Sequence, residues 1–263
     1  MTNRIPPLLV ANWKANLPPG EEVLLAEKIA NDAGRRGLLP GSLMIAPSAL
    51  GLVPIASLLQ RVHASLQIGL VAQDVSAREV GAHTGETPAT HLLGIAGAVI
   101  VGHSERRALG ETGELIGRKV ARAIAAGLRP IICVGDTARE ATIEQRVAEV
   151  REQWERVMVS AGQVGCNLGE IVQAETVVAY EPVWAIGSGE SAGPQLAGRM
   201  ATAIREGSSE EMQVLYGGSV RAPQAADFFV GEGRSQIDGL LVGGASLSSE
   251  HLLDIAAALG SAT

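Results

Sequence analysis

Three side chains that lie far apart in this chain could between them move a proton: the ammonium of Lys14, the imidazole of His103 and the carboxylate of Glu181. A carboxylate can act as a general base, and an imidazole and an ammonium can stabilise the oxyanion that forms when a carbon beside a carbonyl loses its proton. Two Gly-Gly pairs, Gly217-Gly218 and Gly243-Gly244, add a second capability. Glycine N–H groups approach a ligand closely and can point at one anion, so Gly217-Gly218-Ser219 and Gly243-Gly244 read as a phosphate cradle built from neutral donors. A short helix after Gly244 would add its positive end. The set suits proton abstraction next to a carbonyl in a phosphate-bearing substrate.

Each residue also has a plainer reading. Lys14 could be a surface lysine, His103 a satisfied structural histidine, and Glu105-Arg106-Arg107 a solvated charged face. Glu181 ends the apolar, β-branched run Val177 to Tyr180, and Pro182 stops the strand behind it. The following segment, Val183-Trp184-Ala185-Ile186, is apolar and ends at Gly187-Ser188-Gly189, a pattern that fits a lid with a stiff end and a flexible one. A carboxylate under such a lid is a candidate base; the plainer alternative is a strand ending in an exposed Glu and an ordinary loop.

Other chemistries find little support. His63, His83, His91, His103 and His251 show no H-E-x-x-H spacing, no Walker motif is present, and no metal is expected. Gly102-His103-Ser104-Glu105-Arg106 is not a nucleophile elbow, because Arg106 takes the place of the required glycine. Cys133 lies inside a strand run and reads as a core thiol.

The elements that must position these groups alternate along the whole chain. Strands are predicted at Leu8–Ala11, Leu43–Ala46, Gln67–Ala72, Ala98–Val101, Pro130–Val134, Val177–Tyr180, Met212–Leu215 and Ile237–Val242. Helices are predicted at Glu21–Ala33, Leu52–Leu59, Glu114–Ala126, around Ile143 to Val157, and at Pro194–Arg205, Pro223–Phe229 and His251–Leu259. Nearly continuous apolar strands fit a parallel sheet covered by helices. About eight such units suit an α/β fold: a single (β/α)8 barrel with parallel strands over residues 1–263. An open doubly wound sheet would want a glycine-rich turn after the first strand, where Asn12-Trp13-Lys14-Ala15-Asn16 stands instead. In such a barrel the loops after the strands share one mouth, and strand alternation would put Asn12 and Lys14 on the same side.

Bulk properties narrow the partners. The net charge of −7 disfavours nucleic acid and anionic membranes, so an anionic ligand must be held by local groups. Aromatic residues make up only 3%, which leaves Ala, Val, Ile and Leu to build the core. Two cysteines, Cys133 and Cys166, point to a reducing compartment. Neither a signal-peptide pattern near Met1 nor an apolar run of about 18 residues is seen, so a soluble, cytoplasmic protein is expected.

The segments Asn12-Trp13-Lys14, Val101 to Arg107, Ala179 to Gly189, Tyr216 to Val220 and Leu241 to Leu247 resemble, in order and spacing, the signature segments of the triosephosphate isomerase family. The resemblance spans nearly the whole chain. It implies a TIM barrel that interconverts dihydroxyacetone phosphate and D-glyceraldehyde 3-phosphate without a cofactor, in glycolysis and gluconeogenesis. It implies Glu181 as the base, His103 as a neutral proton shuttle, Lys14 as positive charge held by Glu105, and Asn12 as a substrate-orienting group. Gly187, Ser219, Gly243 and Gly244 would bind phosphate through backbone N–H groups, and Tyr216 and Ser219 would latch a closed lid. It further implies a homodimer in which Thr84, on the loop Gln73 to Glu86, reaches Asn12 and Glu105 of the other subunit, each isolated subunit being incompletely active.

Several positions depart from the family's usual pattern. Ala15 replaces a Met, His83 an aromatic, Ser188 a Thr and Glu190 a Lys, and the loop after Arg107 is about one residue short. Two alternatives stay open: isomerisation of a larger ketose phosphate such as a tetrulose phosphate, and a non-catalytic phosphate-binding barrel.

Overall fold

The computed structural model describes residues 7–36, 38–61, 66–187, 189–229 and 237–261. Its strands close into a parallel barrel in sequence order: β1 (Leu8–Asn12), β2 (Leu43–Ala46), β3 (Gly69–Ala72), β4 (Ala98–Val101), β5 (Arg129–Val134), β6 (Val177–Tyr180), β7 (Gln213–Tyr216) and β8 (Gly239–Val242). Closure is made by β1 against β8, with Leu8 opposite Gly239 and Ala11 opposite Val242. The helices outside are α1 (Pro19–Arg36), α2 (Ala49–Arg61), α3 (Ser104–Ala108), α4 (Gly113–Ala125), α5 (Ile143–Gln163), α6 (Leu168–Gln173), α7 (Pro194–Gly207), α8 (Ala222–Ala225) and α9 (Ser249–Ser261). The expected α/β architecture, a (β/α)8 barrel, is therefore the one observed.

Strand alternation sorts the apolar residues into two cores. Leu8, Val10, Val71, Ile100, Ile131, Cys133, Val177, Ala179, Leu215 and Leu241 fill the barrel interior. Their alternates, Leu9, Ala11, Val99, Val101, Ile132, Val178 and Tyr180, face the helices. Among the described residues the interior holds no aromatic ring, while the outer core takes Trp13, Trp154, Tyr180, Tyr216, Phe228 and Phe229 beside its aliphatic residues.

Two helices escape the sequence reading. α3 was hidden in the charged run after His103, and α6 is a single capped turn in which Asn167 and Glu170 form a reciprocal capping box. β3 begins two residues later than expected because Gln67 takes a left-handed φ of 48°, which no strand accommodates. The stretch Pro223–Phe229 is a short α turn followed by a 3₁₀ turn, Ala226–Phe229, not one helix.

The seam between β1 and β8 has a steric requirement. A Cβ on Gly239 would lie 2.0 Å from the Leu8 carbonyl oxygen and 2.7 Å from Leu215. Gly239→Ala is therefore expected to lower unfolding free energy by about 1–3 kcal/mol, by forcing the strands apart, as read from urea unfolding.

Candidate active site

Glu181 leaves the end of β6 with its backbone fixed: its N–H donates to the Val134 carbonyl at 2.8 Å. The residue lies in a slot between two glycines. A Cβ on Gly135 would lie 1.7 Å from the Glu181 carbonyl oxygen, and one on Gly217 would lie 3.0 Å from Glu181 Cγ. Gln153 grips Gly135 from α5, accepting from its N–H at 3.0 Å and donating to its carbonyl at 2.7 Å. The carboxylate is 2% exposed, so the reading of an exposed strand-end Glu fails. Oε2 accepts from the Ser104 N–H at 2.9 Å. Oε1 lies 3.0 Å from His103 Nε2 but off the N–H axis, and it is a buried oxygen that no hydrogen bond satisfies. A buried acceptor without a donor is costly, and such costs concentrate where a site awaits a ligand.

His103 caps α3. Its Nδ1 accepts from the Glu105 N–H at 3.2 Å, which places the ring proton on Nε2, the nitrogen that faces Glu181. The charged run after it is not a solvated face. Glu105 accepts from Lys14 Nζ at 2.8 Å. Arg106 donates to Glu111 at 2.8 Å. Arg107 donates to the carbonyls of Gly102 and Cys133, each at 2.8 Å, tying the ends of β4 and β5 together. Behind them Lys119 is buried against Glu111 and Asp74, so α3 stands on a charge cluster and is not left to solvent. Burial pushes the Asp74 carboxyl up from its usual range, and the Lys119 contact opposes that.

Lys14 does not reach the site by strand alternation. β1 ends at Asn12, and Lys14 adopts φ 54°, a left-handed conformation unusual for lysine. Two groups hold that turn: Asn12 Oδ1 accepts from the Lys14 N–H at 3.1 Å, and Gln73 Nε2 donates to the Lys14 carbonyl at 2.8 Å. Trp13 anchors the turn from below and is fully buried. The Lys14 side chain is 22% exposed and ion-paired, so it is no ordinary surface lysine.

Asn12, Lys14, His103, Glu181, Gly187, Ser219, Gly243 and Gly244 all line one cavity of about 270 Å³. At its far end the chain after β8 makes a 3₁₀ turn, Gly244–Leu247, whose leading N–H groups have no acceptor within the turn. Lys14 Cε stands 3.5 Å from where a Cβ on Gly243 would be, so the lysine side chain packs in van der Waals contact over that turn. Glu105 and Tyr216 support this cavity from outside it. Thr84 is exposed at the tip of its loop and lines neither this cavity nor the one next to it.

The segment after Glu181 is anchored at its root. Asp136, fully buried, accepts from Tyr180 Oη at 2.5 Å and from Trp184 Nε1 at 3.0 Å, pairs with Arg146, and offers its carbonyl to the Val183 N–H at 2.9 Å. Burial, then the Asp136 contact, push the Tyr180 phenol far above its usual range. Farther along, Ser219 Oγ donates to the Ala185 carbonyl at 2.7 Å and Tyr216 Oη accepts from the Ala192 N–H at 2.9 Å. Gly218 permits the latter, since a Cβ there would lie 2.2 Å from Tyr216 Oη. Glu190 pairs with Arg139; Ser188 and His63 lie outside the described residues.

Cys133 lies beneath Glu181 as a buried, free thiol, pushed well up by burial first and by the Glu181 charge second. Among the described residues, no group of three or more His, Cys, Asp or Glu side chains is placed to hold a metal ion. Gln73, Ser104 and Asp136 are the supporting residues missed from sequence. Gln73 and Asp136 sit just beyond β3 and β5, and the strand-end rule that singled out Glu181 would have found both.

Asp136→Ala would leave the Arg146 guanidinium buried without its partner. The expected result is a loss of about 3–5 kcal/mol in urea unfolding, with the Trp184 emission shifted to the red.

The family model described as triosephosphate isomerase matches residues 7–259. A protein of Paracidovorax citrulli named triosephosphate isomerase is 39% identical over 262 residues, covering 95% of this chain and 97% of that protein. One of Coxiella burnetii with the same name is 38% identical, covering 95% of each chain. One of Herminiimonas arsenicoxydans is 38% identical over 94% of this chain and 97% of its own. With the fold, the site and these likenesses in agreement, the chain belongs to the triosephosphate isomerase family.

Proposed function

We propose that this chain interconverts dihydroxyacetone phosphate and D-glyceraldehyde 3-phosphate through an enediolate, with Glu181 as the base. The observation that carries this reading is the convergence of Glu181, His103, Lys14 and two glycine turns on one small cavity. The phosphate lies at Gly187, Ser219, Gly243 and Gly244, where backbone N–H groups are close. Glu181 Oε1 takes a proton from the carbon beside the carbonyl. The electron pair moves into a carbon–carbon double bond, and the carbonyl oxygen becomes negative. His103 Nε2–H and the Lys14 ammonium face that oxygen and hold its charge. His103 passes protons between the two oxygens while Glu181 returns its proton to the neighbouring carbon, so the atoms balance without a cofactor. Asn12 orients the substrate and shapes the Lys14 turn. The apolar segment over Glu181, latched by Tyr216 and Ser219, keeps water from the enediolate.

A volume of about 270 Å³ suits a small sugar phosphate, and the family relationship favours a triose over a tetrulose phosphate. The presence of base, electrophile and cation together disfavours a non-catalytic barrel. We take residues 1–263 as one domain and the compartment as cytoplasmic. Two buried, free cysteines support the latter, and among the described residues no helix is long and apolar enough to cross a membrane.

We also infer a homodimer. A second cavity, about 440 Å³, opens beside Lys14 and Glu105 and is lined by Ala15, Gln73, Gly85 and Leu109. Leu109, which lines it, is 78% exposed, and Leu50 and Val53 stand exposed on α2 next in sequence to the lining residues Ala49 and Leu52. The exposed Thr84 tip would enter the partner's cavity toward Asn12 and Glu105.

Glu181→Asp draws the carboxylate back by one methylene while keeping its charge. A coupled assay on glyceraldehyde 3-phosphate is expected to show kcat reduced about 10²-fold, whereas equal rates would exclude Glu181 as the base. Sedimentation at assay concentrations is expected to give twice the chain mass; a monomer with full turnover would end the dimer reading.

A further inference from the structure

We propose that Arg221 supplies the positive charge that draws the substrate's phosphate to its neutral cradle and selects phosphorylated over unphosphorylated trioses. The inference rests on the phosphate-cradle reading given above and adds to it a residue outside the two glycine turns. Arg221 follows β7 directly after Ser219-Val220, and its side chain lines the same cavity as Gly187, Gly189 and Gly243. Its Nη2 stands 3.7 Å from where a Cβ on Gly189 would lie, which puts the guanidinium at the rim, against the flexible end of the lid.

Three features give that position meaning. First, the cradle has no charge of its own; it offers N–H dipoles, in a chain whose net charge of −7 repels a phosphate dianion. Second, the other cation of the cavity, Lys14, stands beside Gly243 but is already paired with Glu105, which offsets its charge. Nearby Arg139 is likewise paired, with Glu190. Third, the Arg221 guanidinium has no hydrogen-bond or ion-pair partner among the described residues, so its charge is not cancelled locally. A residue with a purely structural role would spend that head group on a carboxylate or carbonyl, as Arg107 and Arg146 do.

Arg221 is exposed, so it does not act as a rigid clamp. Its effect is that of a field at the mouth: it raises the local concentration of a dianion and the rate of productive encounter. Such an effect lives in kcat/KM and fades when salt shrinks the screening length from about 30 Å at 0.01 M to about 3 Å at 1 M. Arg221 touches no reacting atom in this arrangement and is not a catalytic residue.

The test compares the parent chain with Arg221→Gln and Arg221→Lys on glyceraldehyde 3-phosphate and on glyceraldehyde, across ionic strength, with inorganic phosphate as a competitive probe. At low salt, Arg221→Gln is expected to reduce the preference for the phosphorylated substrate, as a ratio of kcat/KM values, about threefold to tenfold. The same variant should weaken phosphate inhibition by a similar factor, and Arg221→Lys should restore most of both. The difference between parent and Arg221→Gln should close as salt approaches about 1 M. Equal losses on both substrates, or a loss that persists at high salt, would overturn the proposal and leave Arg221 a structural residue. Failure of inorganic phosphate to compete in the parent chain would instead remove the cradle itself.

Discussion

The site depends on keeping one carboxylate dry and still. Glu181 achieves this by leaving a central strand between two residues that have no side chain, Gly135 and Gly217, so the neighbouring backbones close on it. The hydrogen bond to Val134 fixes its main chain, and the Ser104 N–H fixes one carboxylate oxygen. The other oxygen is left beside the His103 ring with nothing to satisfy it. Burying a carboxylate in this way costs free energy, and the closed barrel with its two apolar cores supplies the stability that tolerates it.

The electrostatic plan follows from the acidic chain. Most cations near the mouth are tied to an acid or a carbonyl: Lys14 to Glu105, Lys119 to Glu111 and Asp74, Arg146 to Asp136. These pairs fix geometry at the expense of field. Holding Lys14 against Glu105 directs its ammonium but dilutes its reach, and the N–H groups of the cradle carry only partial charges. Charge that acts at a distance must then come from a cation outside this network.

Much of this was legible before any coordinates. The eight apolar runs were visible because parallel strands buried on both faces need no polar alternation. Lys14, His103 and Glu181 stood out because polar residues at strand ends are conspicuous after apolar runs. Local conformation was harder. Nothing in Asn12-Trp13-Lys14 announces a left-handed lysine, because that turn is held from β3 by Gln73, a contact 59 residues away. The helix α3 was masked by its charges, each of which finds a partner from elsewhere in the fold. Likewise Asp136 looks like any loop acid until four groups from β6, α5 and the lid root meet on it.

The cap of α3 couples a helix to the candidate site. Its leading peptide groups are satisfied by side chains of that site, Ser104 N–H by Glu181 and Glu105 N–H by His103. The Glu181 carboxylate thus serves as part of the helix cap. A molecule that drew it away would compete with Ser104 and loosen the start of a helix of five residues.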